Sequence, residues 1–240
     1  DQFGESVAGT TIKLTWTAID DSHQTEILSD AEGTFQFTGV RGKSLGIAVR
    51  KDGYVLTRES GGSFEYAEFS NDRFHVPDRE KPAVFRLQKL LGAEPMIKYI
   101  TNAEVAVGPS PVLLNVETGK LGTDGDLSFS ILTGAKRQYG PDFTIMLTAV
   151  NGAAFAFSEE EFMSNAPEAG YQTAAVFNKL ASAPNYNRVQ PYRLYLKTRS
   201  GKYAAVTGEI TIREGLSEGK AGFHAIIYHN PSGSRKLEFD

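Results

Sequence analysis

Few residues in this chain have the type and spacing for chemistry. Four histidines are present, at His23, His75, His224 and His229. On one strand His224 and His229, five apart, face opposite sides, so they cannot share a metal ion. Isolated histidines of this kind read as solvated or hydrogen-bonded structural groups. Acidic turns come next: "TDGDLS" offers Asp124 and Asp126, and "AIDDSH" offers Asp20 and Asp21. Calcium takes about six to eight oxygens in one place, so two carboxylates need a second loop. Asp124 and Asp126 are therefore candidate calcium ligands, with an ordinary hairpin turn as the plainer reading, and no other cofactor is indicated. "SEEEF" reads as a helix start rather than a ligand cluster.

Two loops combine aromatic and amide groups. "KRQYGPDF" carries Tyr139, and "NYNRVQPYRLY" brings Tyr186, Tyr192 and Tyr195 together with Asn185, Asn187, Arg188 and Gln190. Sugar faces stack on aromatic rings, while amides and guanidinium groups bond to hydroxyls. Tyr139, Tyr186, Asn187, Arg188 and Tyr195 are accordingly the candidate ligand-binding residues. The competing reading packs Tyr192 into a strand core and leaves "NYNR" as a solvated loop. No G-x-S-x-G, H-E-x-x-H, P-loop or G-x-G-x-x-G pattern occurs, so the sequence offers no positive case for an enzyme. A hydrolase would require His75, Glu68 and Asp72, or a similar loop set, to converge.

The elements that must position these groups are strands. In "TTIKLTWT", Ile12, Leu14 and Trp16 alternate with Lys13, Thr15 and Thr17, the signature of a half-buried strand. The same period returns at Phe35 and Phe37, at Leu45, Ile47 and Val49, and at Phe85 and Leu87, giving about six or seven strands in the first 90 residues. "DAEG", "RGKS" and "KDGY" are the turns between them. A boundary falls around Leu90 to Glu94. Beyond it Val112, Leu114 and Val116, then Leu127, Phe129 and Ile131, resume the alternation. "DFTIMLTAV" is apolar on both faces and predicts a doubly covered central strand. "YRLYLKTRSGKYAAVTGEITIRE" is a hairpin with Ser200-Gly201 at its tip, and "AGFHAIIYH" is a last strand. Ser158 and Glu161 form a capping box able to start one or two helical turns before Pro167. "TAAVFNKLASA" fits a short helix or a strand.

Composition narrows the classes further. The 240 residues suit two domains, and 40% hydrophobic residues with 24 glycines describe a folded, turn-rich chain. A formal charge of -4 leaves no basic excess for phosphates, which argues against a nucleic-acid partner. The absence of cysteine excludes disulfides and thiolate sites. No apolar run approaches the ~20 residues of a membrane-spanning helix, so direct membrane insertion is not expected.

With the strands placed, the first 90 residues resemble the carboxypeptidase regulatory-like domain family. The resemblance rests on "DQFGESVAGTTIKL", "SDAEGTFQFTGV", "VRKDGYVL" and "PAVFRLQK" in that order. It implies a transthyretin-like or Ig-like β-sandwich without catalytic residues, acting as a folding, docking or display module in bacterial secreted or surface proteins. Family members carry a short strand before the Asp-Gly turn, whereas this chain starts at that turn. An upstream strand or domain, and one unpaired sheet edge, are therefore expected.

The sequence thus predicts an all-β chain: residues 1–91 a transthyretin-like sandwich and residues 95–240 a larger antiparallel sandwich, jelly roll among its forms. The functional expectation is a non-catalytic bacterial module, extracellular or at the cell surface, that binds a glycan or a protein partner. A structural spacer without a small-molecule site is the alternative.

Overall fold

The computed structural model describes residues 1–18, 21–56, 62–66, 74–138, 140–160, 162–212 and 219–239. The protein is all-β: its described residues contain antiparallel strands and no helix. The chain divides into two compact units, Asp1–Leu91 and Gly92–Phe239.

Unit 1 contains β1 (Thr11–Thr17), β2 (Ser22–Leu28), β3 (Ser44–Arg50), β4 (Tyr54–Leu56), β5 (Ser63–Glu65) and β6 (Leu87–Lys89). Four of them form a sheet in the order β2-β1-β3-β5, and β4 pairs with β6. Register places Ile12 opposite Val49 and Leu14 opposite Ile47, so the alternation in β1 and β3 supplies one shared apolar face. The "DAEG" turn is fixed by Asp30, whose carboxylate accepts the Thr34 amide at 2.7 Å and the Thr34 hydroxyl at 2.5 Å. Gly33 adopts φ 73° there, and a Cβ would stand 2.9 Å from the Val7 nitrogen, so glycine is required twice over. The strand expected at Phe35 and Phe37 does not form. These residues alternate, but they pair with no strand among the described residues, and the segment is irregular.

Among its described residues unit 2 contains ten strands: β7 (Ile97–Ala106), β8 (Gly108–Asn115), β9 (Lys120–Gly122), β10 (Leu127–Arg137), β11 (Gly140–Ala149), β12 (Ala154–Phe157), β13 (Ala174–Lys179), β14 (Val189–Lys197), β15 (Tyr203–Ile212) and β16 (Lys220–Asn230). One sheet runs β13-β11-β10-β8-β9 and the other β12-β14-β15-β16-β7. Their inward residues form one cluster, with Leu114, Phe129 and Ile145 from the first sheet meeting Leu194, Val206 and Ile227 from the second. This is a sandwich, and each such buried aliphatic side chain contributes about 1.5–3 kcal/mol.

The doubly covered strands belong to the second sheet rather than to β11. Phe143, Ile145 and Leu147 are buried, but Met146 on the opposite face is 41% exposed between half-buried Thr144 and Thr148. On the second sheet Tyr195 and Ala205 face outward and are covered by Met163, Ala166 and Leu237. Within "TAAVFNKLASA", Ala174–Lys179 forms strand β13. The segment after Ser158 is not helical. Ser158 Oγ accepts the Glu160 amide at 3.2 Å, yet the chain turns away to cover β14, and Glu161 lies outside the described residues.

Candidate functional site

The loop between β13 and β14 carries the aromatic and amide groups. Alanine, serine, proline and asparagine give it no apolar period, and it folds as successive turns, with the Ala183 amide on the Leu180 carbonyl (2.9 Å) and the Tyr186 amide on that of Ala183 (3.0 Å). Asp142 of β11 anchors it by accepting the Ala181 amide at 2.7 Å. Asn187 accepts the Val189 amide at 3.0 Å through its side-chain oxygen, which sets the entry into β14. The Tyr186 hydroxyl donates to the Pro141 carbonyl at 2.7 Å, and its ring meets Phe143 edge-on with centroids 6.2 Å apart.

Tyr186 and Arg188 converge on Gly140. A Cβ there would lie 2.7 Å from the Tyr186 hydroxyl and 3.0 Å from Arg188 Nε, and the residue holds φ 134°. Only glycine meets both demands. The result is an open depression of about 690 Å³ whose lining includes Ala181, Ser182, Pro184, Tyr186, Asn187 and Arg188. Asn187 is exposed, while Tyr186 and Arg188 are half-buried. Such a surface can offer amide and guanidinium hydrogen bonds to a hydroxyl-bearing ligand, with part of one aromatic ring alongside.

Of the two other candidates, Tyr195 does not join this depression. Tyr139 lies outside the described residues. Tyr195 is 4% exposed on the covered outer face of the second sheet, where its hydroxyl donates to Glu160 at 2.9 Å. Burial first, and then the Glu160 carboxylate, push its phenol well above the ordinary range. Tyr192 packs in the core, its hydroxyl donating to the His224 carbonyl at 3.0 Å.

The acidic turn serves the protein itself. Asp124 receives both guanidinium nitrogens of Arg199 at 2.6 Å, and these hydrogen bonds hold its carboxyl below the usual range. Asp126, 1% exposed, accepts the amides of Arg199 at 3.1 Å and Val116 at 3.4 Å. Together they fasten the β14–β15 hairpin tip to the first sheet, and Glu117 reinforces the clip by accepting from Ser200 and from Lys202. The Ser200 hydrogen bond, aided by the Lys202 charge, lowers the Glu117 pKa. The pair proposed for calcium is thus committed to Arg199 and two backbone amides, and no group of three or more His, Asp or Glu suited to a metal occurs among the described residues.

The histidines sort by environment. His23 stacks on Trp16 at 5.4 Å, His75 meets Phe64 at 4.7 Å, and His224 bonds Asn102 at 2.6 Å. His229 is different. It is 2% exposed, and neither ring nitrogen has a partner among the described residues. Its burial was legible in the alternation Phe223, Ala225, Ile227, which carries His229 onto the inward face of β16. Of the acids named with His75, Glu68 and Asp72 lie outside the described residues. No helix among the described residues is long and apolar enough to cross a membrane. Comparison with protein-family models and with curated proteins finds no match to this chain.

Proposed function

We propose that this chain is a non-catalytic binding module that takes a hydroxyl-rich ligand, a glycan, at the β13–β14 loop of unit 2. The supporting observation is the convergence of Tyr186 and Arg188 on Gly140 beside the exposed Asn187. In this reading unit 1, whose sequence resembles the carboxypeptidase regulatory-like family, is a docking or display module beside the binding unit, and the protein works in secretion or at a bacterial surface. A glycan array probed with the intact chain tests the proposal. Saturable binding lost in Asn187→Ala and Arg188→Ala, both folded by circular dichroism, is the expected result. Binding that survives both changes removes the site.

A second reading, a spacer without a small-molecule site, draws support from Tyr195, Asp124 and Asp126, whose polar atoms are engaged within the fold. Under that reading the array stays blank and only a protein partner is recovered.

A further inference from the structure

Unit 1 buries far less than its sequence offers. Among its described apolar residues only Ile12, Leu14 and Leu87 are fully buried. Phe35, Phe37, Leu45, Ile47, Val49 and Phe85 line one shared space and remain half-buried. The reason is a half-open pocket of about 710 Å³ between the face of the β1–β3 sheet and the segments that carry Phe35 and Phe85. Leu45, Ile47 and Val49 supply one wall at the two-residue period of β3, and Ile12 and Leu14 stand opposite Val49 and Ile47 in the same face. Phe35 and Phe85 approach each other at 6.0 Å across the facing wall. The polar lining includes Thr34, His75, Asp78 and Arg79.

A volume of this size, with an apolar body and a rim of polar and charged groups that includes Glu5, Glu32, Asp78, Arg79 and Lys81, matches small-molecule sites, which run to about 300–1,000 Å³. It lies between two layers of the unit, so it suits a compact guest rather than a second chain laid on a flat face. We propose that this pocket of unit 1 binds a small amphipathic molecule, its hydrocarbon body against β3 and the phenylalanines and its polar end toward His75, which packs on Phe64 at the β5 side. This site is separate from the loop of unit 2, and its ligand class is the opposite in polarity.

The chain contains a single tryptophan, and it reports on this space. Trp16 packs against Phe37, a wall residue, with centroids 5.3 Å apart. The test is titration of the full chain with the neutral probe N-phenylnaphthylamine, reading Trp16 emission and probe emission together, with decanol as competitor. Saturable uptake of one probe per chain, quenching of Trp16 and displacement by decanol are expected. The double variant Ile47→Phe, Val49→Phe fills the space and weakens uptake about tenfold or more. Leu45→Gln, which places an amide in the wall, does the same by another route. Asn187→Ala leaves uptake unchanged. Absence of saturable uptake, or uptake unaltered in the filled variant and in Leu45→Gln while both keep the wild-type circular dichroism, overturns the proposal.

Discussion

Replacing His229 with leucine should stabilise unit 2 at neutral pH and remove much of its acid sensitivity. The imidazole sits on the inward face of β16, paired across strands with Ala204 and Ile97, and both ring nitrogens lack partners among the described residues. Burying a polar group without a hydrogen bond costs about 1–3 kcal/mol in protein mutational data. Leucine, of similar size and without polar atoms, avoids that cost, so a gain of about 1–3 kcal/mol is expected near pH 8.

The pH dependence follows from the direction of the shift. Burial holds the imidazole below its ordinary value of 6.5, with the Lys202 charge acting the same way and Glu117 and Asp126 opposing. The unfolded chain therefore takes the proton first. His229 imposes no pH-dependent penalty above the unfolded value, and stability is lost as pH falls through it until the folded value is passed. The slope reaches at most about 1.4 kcal/mol per pH unit for one group. Glu94 and Glu117 have pKa values held below 4.5, so their losses fall at lower pH. Urea unfolding between about pH 8 and pH 5, followed by far-ultraviolet circular dichroism, measures the slope. Trp16 emission marks the unit 1 transition separately, since that residue lies in β1. A leucine variant less stable than wild type near pH 8, with the same slope, would refute the reasoning and show a hydrogen-bonded imidazole in the native state.

Three further outcomes are expected. Asp126→Ala removes the acceptor of two amides and lowers unit 2 stability by about 1–3 kcal/mol, whereas Asp124→Ala has a much smaller effect and chelation leaves the melting temperature of wild type unchanged; denaturation with and without chelator measures both. Gly140→Ala forces a left-handed backbone on alanine and displaces Tyr186, costing about 1–3 kcal/mol and altering the tyrosine signal in near-ultraviolet dichroism. Ile227→Ala, in the centre of the sandwich, costs about 2–5 kcal/mol, while Val84→Ala, 68% exposed, stays within about 0.5 kcal/mol in the same denaturation assay.

The two-residue period made the inward faces of β1, β3, β10 and β16 readable, because a sheet with one buried face demands it. It failed where that demand lapses. β2 contributes "SHQTEIL", an edge strand whose side chains are mostly exposed, so its composition carries no apolar signal. β7 is likewise an edge, with Ile100 58% exposed. Phe35 and Phe37 alternate correctly, but alternation records which way side chains point and not whether a neighbouring strand is present to pair. At the candidate site, Tyr186 and Arg188 could be picked by type. Their meeting with Gly140 could not, because it joins a loop to a strand start across the sheet. Tyr195 lies on the face of β14 opposite Leu194 and Leu196, which is legible. The cover from Met163 and Leu237 is tertiary and left no local mark.

The first and last strands of unit 2 lie side by side. Among the described residues β7 has β16 as its one ladder partner, with Ile97 beside His229 and Ala106 beside Lys220. During synthesis β7 therefore leaves the ribosome long before the strand that completes it. The second sheet cannot finish vectorially, and an apolar half-sandwich must wait in solution or in the care of a chaperone until β16 emerges. The same adjacency brings the start of β7 next to the end of β16, so a short splice between them could recast the unit as a circular permutant whose two halves of the barrier, late pairing and long loop closure, are exchanged for a local hairpin.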